Sequence, residues 1–112
     1  MVVRCAPEAL SERKFDEKSD VWSYGVTMWE IFSYGNLPKL GEISQLYMKL
    51  HEGKRLEQPA ACPHSIYRII YYGCWEFDSK KRKSFVEIRN ELKAELDKQT
   101  STKQSPTVEM KT

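Results

Sequence analysis

Residues 19–33 read SDVWSYGVTMWEIFS, and this stretch decides the fold. Its apolar side chains leave almost no polar stripe: Val21, Trp22, Tyr24, Val26, Met28, Trp29, Ile31 and Phe32. A helix that is apolar on nearly every side must be buried on most of its faces. A buried strand is the rival interpretation, but the length of the run favours a helix. Ser19 or Asp20 can cap the first turn. Gly35 and Pro38 are expected to end the helix.

Two further segments show helical periodicity. The first is predicted to run from Ile43 to His51, with Gly53 at its end. The second is predicted from about Ser65 to Trp75, after a polar segment that contains two prolines. The inward positions are Ile43, Leu46, Tyr47 and Leu50 in the first, and Ile66, Ile69, Ile70 and Cys74 in the second.

A fourth helix is predicted to open with a capping box. The Ser84 hydroxyl can accept from the amide of Glu87, while the Glu87 carboxylate reaches back to the Ser84 amide. The apolar stripe behind it is Phe85, Ile88, Leu92 and Leu96. Residues 99–112 are polar and lack periodicity, so we expect a flexible tail. The predicted fold class is therefore all-α, with one domain over residues 1–98.

Length and charge exclude several classes of protein. A chain of 112 residues makes at most one small domain. With 18 basic and 16 acidic residues the net charge is +2, which gives no electrostatic reason to expect nucleic-acid binding. No stretch approaches the roughly 18 apolar residues of a membrane span. A cytoplasmic location is the resulting expectation.

Metal binding and disulfides are not expected. Cys5, Cys62 and Cys74 are an odd number at spacings that match neither a disulfide framework nor a zinc site. His51 and His64 share no ligand spacing with them, so both are expected to be ordinary surface or loop residues.

Two features have a functional and a structural interpretation. The Lys80-Lys81-Arg82-Lys83 cluster can indicate a nucleic-acid or nuclear-import patch, but a solvated face is favoured. Phosphorylation is the functional interpretation of the tyrosines, but all six lie in or at the ends of predicted helices, so we expect them to contribute to packing. They are Tyr24, Tyr34, Tyr47, Tyr67, Tyr71 and Tyr72.

Several motifs together resemble the protein kinase family. Ala6-Pro7-Glu8 and then SDVWSYG, from Ser19, resemble the end of the activation segment and the start of the central helix of the large lobe. GKRLEQPAACP, the Cys74-Trp75 pair and Arg82 follow in the family's order. These details are similar to tyrosine kinases. The run VWSYGVTMWE with SYG looks most like the non-receptor spleen tyrosine kinase family, although residues 52–63 would suit focal adhesion or Janus kinases too.

The resemblance implies structural duties for four residues. Glu8 would form a buried ion pair with Arg82 that ties the end of the activation segment to the turn before the fourth helix. Asp20 would reach the backbone of the catalytic loop. Trp22 would pack between its helix and the activation segment. None of the four would perform chemistry, and no catalytic, cofactor-binding or metal-binding residue is predicted in this chain.

The motifs that carry phosphoryl transfer are absent from the printed sequence. It has no G-x-G-x-x-G loop, no H-R-D and no D-F-G, which hold the nucleotide, the substrate hydroxyl and magnesium in this family. The resemblance implies a complete signalling kinase that moves the γ-phosphate of ATP to protein tyrosines with magnesium, and a chain that is inactive alone. The alternatives are a non-catalytic binding module that acts as a decoy or scaffold, and a transcript fragment with no separate function.

Two contact surfaces are expected. The resemblance implies docking of protein substrates or regulators through the region from Leu37 to His51. The apolar helix at residues 19–33 lacks the neighbours that it would have in a kinase. It would therefore leave an apolar patch that favours self-association.

Overall fold

The computed structural model describes the backbone of residues 4–111 and the side chains of residues 4–98. Within residues 4–111 every regular element is helical and there is no strand, so the predicted all-α class is confirmed. The helices are α1 Pro7–Glu12, α2 Glu17–Phe32, α3 Leu46–His51, α4 His64–Ile69 and α5 Phe85–Lys111. Two 3-10 turns, Ile43–Gln45 and Ser79–Lys81, and one π turn, Ile70–Cys74, complete the order.

The start of α2 lies earlier than predicted. Asp16 is the N-cap, and its carboxylate accepts a hydrogen bond from the Ser19 amide at 3.1 Å. The Ser19 hydroxyl in turn accepts from the Asp16 amide at 2.7 Å. The prediction that Ser19 or Asp20 caps the helix is therefore wrong. Asp16 satisfies the first free amides one turn earlier, so the helix already includes Glu17.

The C-terminal end of α2 is a Schellman motif. The Tyr34 amide donates to the Ile31 carbonyl at 3.1 Å, and the Gly35 amide donates to the Glu30 carbonyl at 2.9 Å. Tyr34 and Gly35 both have left-handed backbones, with φ of 60° and 84°. This turn directs Tyr34 away from the core, and the prediction that it contributes to packing is wrong.

The core forms where α2 crosses the π turn. Its buried apolar members are Ala6, Val21, Trp22, Val26, Leu46, Leu50, Leu56, Cys62, Ile66, Ile70, Cys74, Trp75, Ile88 and Leu92. Gly25 lies at the crossing, and a β-carbon there would come within 2.8 Å of both Cys74 Cβ and Trp75 Nε1. The close approach of α2 to the π turn therefore requires a residue without a side chain at this position.

The second predicted helix is shorter in the structure than in the prediction, and only two of its four predicted inward side chains are buried. Leu46 and Leu50 are buried in α3, but Ile43 and Tyr47 are exposed. Ile43 lies in a 3-10 turn, whose tighter winding rotates it off the apolar face of α3. The predicted inward positions of this segment are therefore right for the leucines and wrong for the other two.

The third predicted helix is composite. It is α-helical over His64–Ile69 and continues as the π turn Ile70–Cys74. Ile66, Ile70 and Cys74 are buried, as predicted, whereas Ile69 is only partly buried. Positions four apart share one face of an α-helix, and the change to π winding at Ile70 leaves Ile66, Ile70 and Cys74 on the buried face.

The capping box of the fourth predicted helix is confirmed. The Ser84 amide donates to the Glu87 carboxylate at 2.9 Å, and the Glu87 amide donates to the Ser84 hydroxyl at 3.2 Å. These bonds lower the pKa of the Glu87 carboxyl, with the bond from the Ser84 backbone as the main cause. Ile88 and Leu92 are buried, while Leu96 is exposed.

The helix α5 extends to Lys111, beyond the end of its apolar stripe at Leu96. The side chains of residues 99–112 lie outside the described range, and the flexible tail predicted for this stretch stays a prediction.

Candidate functional site

The centre of the candidate site is a buried ion pair between α1 and the segment before α5. Arg82 Nη1 lies 2.7 Å from Glu8 Oε2, and Arg82 Nη2 lies 2.8 Å from Glu8 Oε1. The side chain of Arg82 is 0% exposed and that of Glu8 is 12% exposed. This bidentate geometry is the strong form of an arginine–carboxylate contact, because Nη1 and Nη2 each donate to a different oxygen of the same carboxylate.

Every donor of Arg82 has an acceptor. Besides the two bonds to Glu8, Nη1 donates to the Lys18 carbonyl at 2.9 Å. Nη2 donates to the Phe77 carbonyl at 3.1 Å, and Nε donates to the Glu76 carbonyl at 2.7 Å. A guanidinium has five N–H bonds, so none is left for an external anion. The arrangement therefore acts as a structural anchor and leaves no donor for substrate.

Lys18, at the start of α2, forms two hydrogen bonds with Arg82. Its ammonium group donates to the carbonyl of Arg82, while its own carbonyl accepts from Arg82. The first turn of α2 and the turn before α5 are thereby held together by bonds in both directions.

Trp22 is buried between two cations. The guanidinium carbon of Arg82 lies 5.1 Å from the centre of the Trp22 ring, and that of Arg55 lies 5.2 Å from it. The ring also contacts Trp75, with a centroid distance of 6.4 Å. A desolvated contact between a guanidinium and a tryptophan face is stabilising. Trp22 therefore packs α2 against the segment from Trp75 to Arg82.

Arg55 is the part of the site that sequence reasoning missed. Its Nε donates to the Trp75 carbonyl at 2.9 Å, and its Nη1 donates to the carbonyls of Leu50 and Lys54 at 2.9 and 2.7 Å. Burial lowers the pKa of this guanidinium from its ordinary value. The role was not assigned from the sequence, because the Trp75 carbonyl lies 20 residues further along the chain and only the carbonyls of Leu50 and Lys54 are local.

Arg55 and Arg82 together bind three consecutive carbonyls. Arg55 takes that of Trp75, and Arg82 takes those of Glu76 and Phe77. This irregular stretch would otherwise leave several acceptors without helical partners, so the two arginines supply what secondary structure does not.

Asp20 lies on the exposed side of the first turn of α2. Its carboxylate has no hydrogen-bond or ionic partner among the side chains described for residues 4–98. The structure therefore does not bring Asp20 into the cluster of Glu8, Arg82 and Trp22. A contact with a catalytic loop stays an expectation about the complete kinase.

The cysteines and histidines have structural surroundings. Burial raises the pKa of the Cys74 thiol to about 12, and it also raises the pKa of Cys62. Neither thiol is therefore suited to act as a nucleophile. His51 packs edge-on against Phe77 at 5.2 Å, and His64 Nδ1 lies 3.2 Å from Gln58 Oε1. Among the residues described, no three acidic, cysteine or histidine side chains could hold a metal ion together.

The region from Leu37 to His51 is rich in exposed apolar side chains. Leu37 is 69% exposed and Met48 is 61% exposed. Leu37 also borders an open groove of about 510 Å³ whose lining includes Trp29, Lys39 and Lys54. The exposed Met48 and the Trp29 ring in the groove lining match the methionine and aromatic enrichment of protein contact surfaces, whereas the two lysines do not.

No helix in the described part of the chain combines the length and the apolarity needed to cross a membrane.

Helical architecture, an A-P-E segment and a buried glutamate–arginine anchor together define part of the large lobe of a protein kinase. The sequence profile described as protein tyrosine and serine/threonine kinase matches residues 2–92. The chain belongs to this family.

Two of three similar relatives are tyrosine-protein kinases by name, and the third is named as a growth factor receptor homolog. The fibroblast growth factor receptor homolog 2 of Drosophila melanogaster is 46% identical over 85 residues, 74% of this chain and 8% of the relative. The tyrosine-protein kinase sid-3 of Caenorhabditis elegans is 44% identical over 93 residues, 82% of this chain and 7% of the relative. The transforming protein Abl of Abelson murine leukemia virus is 44% identical over 84 residues, 74% of this chain and 11% of the relative. The chain thus spans only 7 to 11% of the length of these curated relatives.

Proposed function

We propose that this chain is a segment of a protein tyrosine kinase whose complete form transfers the γ-phosphate of ATP to protein tyrosines. The observation that carries the proposal is the 44% identity to two proteins named as tyrosine-protein kinases, over 82% and 74% of the chain. The buried pair of Glu8 and Arg82 supports it, because it closes the A-P-E segment onto the lobe.

ATP and magnesium are assigned to the complete kinase. The described residues contain no set of ligands for a metal ion, and the sequence has no glycine-rich phosphate loop. The donor set of this chain therefore does not fit the cofactors, and the chain alone is proposed to be inactive. Its part in the complete enzyme is to form the base of the peptide-binding lobe.

The mass of the endogenous protein tests this proposal. An antibody against residues 99–112 is used to detect and immunoprecipitate the protein that carries this sequence. A band far above 13.2 kDa that phosphorylates tyrosine peptides with magnesium and ATP is the expected result. The proposal would be overturned by a high-mass band whose immunoprecipitate, prepared with the protein in its activated state, shows no tyrosine kinase activity.

A non-catalytic binding module is the second candidate function. The exposed side chains of Leu37, Ile43 and Met48 favour it, because an isolated chain that keeps this surface can compete with a kinase for its protein partners. A stable endogenous band near 13.2 kDa would favour this decoy or scaffold function.

Competition tests the decoy function directly. The purified chain is added to a complete tyrosine kinase, and phosphorylation of a protein substrate is compared with that of a short peptide. A decoy slows only the protein reaction, and Leu37→Asp removes the effect. Val86→Asp is the matched control, since Val86 is equally exposed but lies on α5. Equal inhibition by both variants would contradict docking through the Leu37 to His51 region.

Two finer assignments belong to the same proposal. The run VWSYGVTMWE with SYG supports a non-receptor enzyme similar to the spleen tyrosine kinase family. A non-receptor enzyme of this kind would act in the cytoplasm. Full-length sequencing of the transcript that encodes residues 1–112 tests both, because it reveals the domains that accompany the kinase.

A further inference from the structure

Tyr34 differs from the other tyrosines in exposure. Its side chain is 86% exposed, whereas Tyr72 is 56% exposed, Tyr24 39% and Tyr47 38%. Tyr67 and Tyr71 are only partly exposed. Residues 34–37 are all exposed and lie outside any helix, so the chain around Tyr34 is open on both sides of the ring.

The other tyrosines are held by ring contacts within helices or the π turn. Tyr24 packs edge-on against Phe85 and Tyr47 packs edge-on against Phe77, each at 5.6 Å. Tyr71 contacts both Tyr67 and Tyr72. Among the side chains described for residues 4–98, Tyr34 has no such contact. An enzyme can therefore reach its hydroxyl without opening any packed structure.

The backbone at Tyr34 is strained in a way that holds the ring out. Tyr34 occupies the position of the Schellman motif that glycine usually fills, with φ of 60°. A residue with a β-carbon pays conformational energy there, and such strain concentrates at functional positions. Among the six tyrosines, Tyr34 alone combines a left-handed backbone with this degree of exposure.

We propose that Tyr34 is a phosphorylation site, at which a protein tyrosine kinase uses this chain as its substrate. The Tyr34 Oη attacks the γ-phosphorus of magnesium-bound ATP, forming an O–P bond. The bond between that phosphorus and the β–γ bridging oxygen breaks, ADP leaves, and the phenol proton passes to a base of the kinase. The inference is separate from the proposed function, since here the chain accepts phosphate instead of transferring it.

The test compares the folded chain with unfolded references. The full chain is incubated with a purified tyrosine kinase, magnesium and ATP, and initial rates at each tyrosine are measured by mass spectrometry. Short peptides centred on each tyrosine are treated in parallel, which corrects for the sequence preference of the kinase. Tyr34 is expected to react in the chain at nearly its peptide rate. The other five should be slowed at least about tenfold, because each must first open locally.

Variants separate the site from the background. Tyr34→Phe should remove most of the phosphate that the chain takes up, while the control Tyr72→Phe, at the next most exposed tyrosine, leaves the initial rate unchanged. Circular dichroism of each variant establishes that it is folded. Slowing of Tyr34 by the same factor as the helical tyrosines would overturn the proposal. So would a first phosphate on another tyrosine, or no phosphate on Tyr34 in either the chain or its peptide.

Discussion

Arg82 binds both carboxylate oxygens of Glu8 from 74 residues away along the chain. The contact joins α1, near the beginning, to the turn that leads into α5. Both side chains are removed from water, so the stability of the pair depends on complete hydrogen bonding. Arg82 achieves this with three backbone carbonyls, those of Lys18, Glu76 and Phe77, in addition to the carboxylate.

Replacing Glu8 by Gln is expected to unfold much of the chain. The substitution leaves the Arg82 charge buried without its counter-ion, which typically costs about 3–5 kcal/mol. Small proteins have only about 5–15 kcal/mol of stability in total. Urea unfolding followed by circular dichroism measures the loss.

The control for Glu8→Gln is Asp97→Asn. Asp97 pairs with Lys93 at 3.4 Å, but both side chains are largely in solvent. Exposed pairs contribute less than about 1 kcal/mol, so this variant should unfold nearly as the parent does. Equal losses in the two variants would show that burial of the Glu8–Arg82 pair has no energetic consequence.

Replacing Gly25 by Ala is expected to destabilise the crossing of α2 and the π turn. Alanine is the better helix former by about 1 kcal/mol. However, its β-carbon would lie 2.8 Å from Cys74 Cβ and Trp75 Nε1, both in a buried core. Overpacking of this kind costs about 1–3 kcal/mol, so packing outweighs propensity.

The matched control is Thr27→Ala on the exposed side of the same helix. This substitution changes helix propensity without changing a core contact. Its free energy of unfolding should therefore lie within about 0.5 kcal/mol of that of the parent, or above it. If Gly25→Ala is as stable as Thr27→Ala in thermal melts, the helices are not as closely packed at Gly25 as the structure shows.

Local signals explain which helix boundaries could be predicted. The Ser84–Glu87 box depends on residues three apart and was found from the sequence. The capping box of Asp16 and Ser19 has the same spacing. Because the apolar run begins only after it, the helix was predicted to start several residues too late. The π turn Ile70–Cys74 has no sequence signal, because its periodicity over five residues cannot be told from that of an α-helix.

Prediction of the site residues required either the tertiary structure or the family resemblance. Nothing in periodicity or local spacing pairs Glu8 with Arg82, and only the resemblance to protein kinases brought the two together. Arg55 lies within the GKRLEQPAACP stretch that carries the resemblance, but the resemblance gave it no role, although it contacts the Trp22 ring and three carbonyls. Partners that are distant in the chain become visible only when the fold places them together.

The stability of the fold is expected to decrease above pH 9 because of Cys74. Burial raises its pKa from an ordinary value of 9.0 to about 12 in the folded state. A raised acid pKa means that the unfolded state loses its proton first. The stabilisation that the protonated Cys74 thiol contributes to the fold is thus complete below pH 9 and is lost as pH rises toward 12. At pH 10 the loss of folding stability from this group is on the order of 1 kcal/mol relative to pH 7.

Cys74→Ala tests the assignment of this pH dependence. The alanine variant should start less stable, since a buried sulfur is removed, but its stability should fall less between pH 7 and pH 10. Unfolding in urea at the two pH values measures both quantities. A fall of the same size in Cys74→Ala and the parent would assign the alkaline sensitivity to other groups, such as Tyr67, whose pKa burial also raises.

Self-association is expected through the uncovered face of α2. Ile31 is 67% exposed, and Tyr24 and Thr27 lie beside it at helical spacing on the exposed side. The prediction that this helix is buried on most faces is therefore not met along this stripe. Exposed apolar patches on soluble proteins commonly mark association sites.

Ile31→Lys should shift the chain toward monomer in sedimentation experiments over a range of concentrations, because a pair of lysines would be brought together at a two-fold contact. Val86→Lys, at an equally exposed apolar position on α5, should leave the association unchanged. A parent chain that stays monomeric at every concentration and melts in one sharp transition would contradict the prediction.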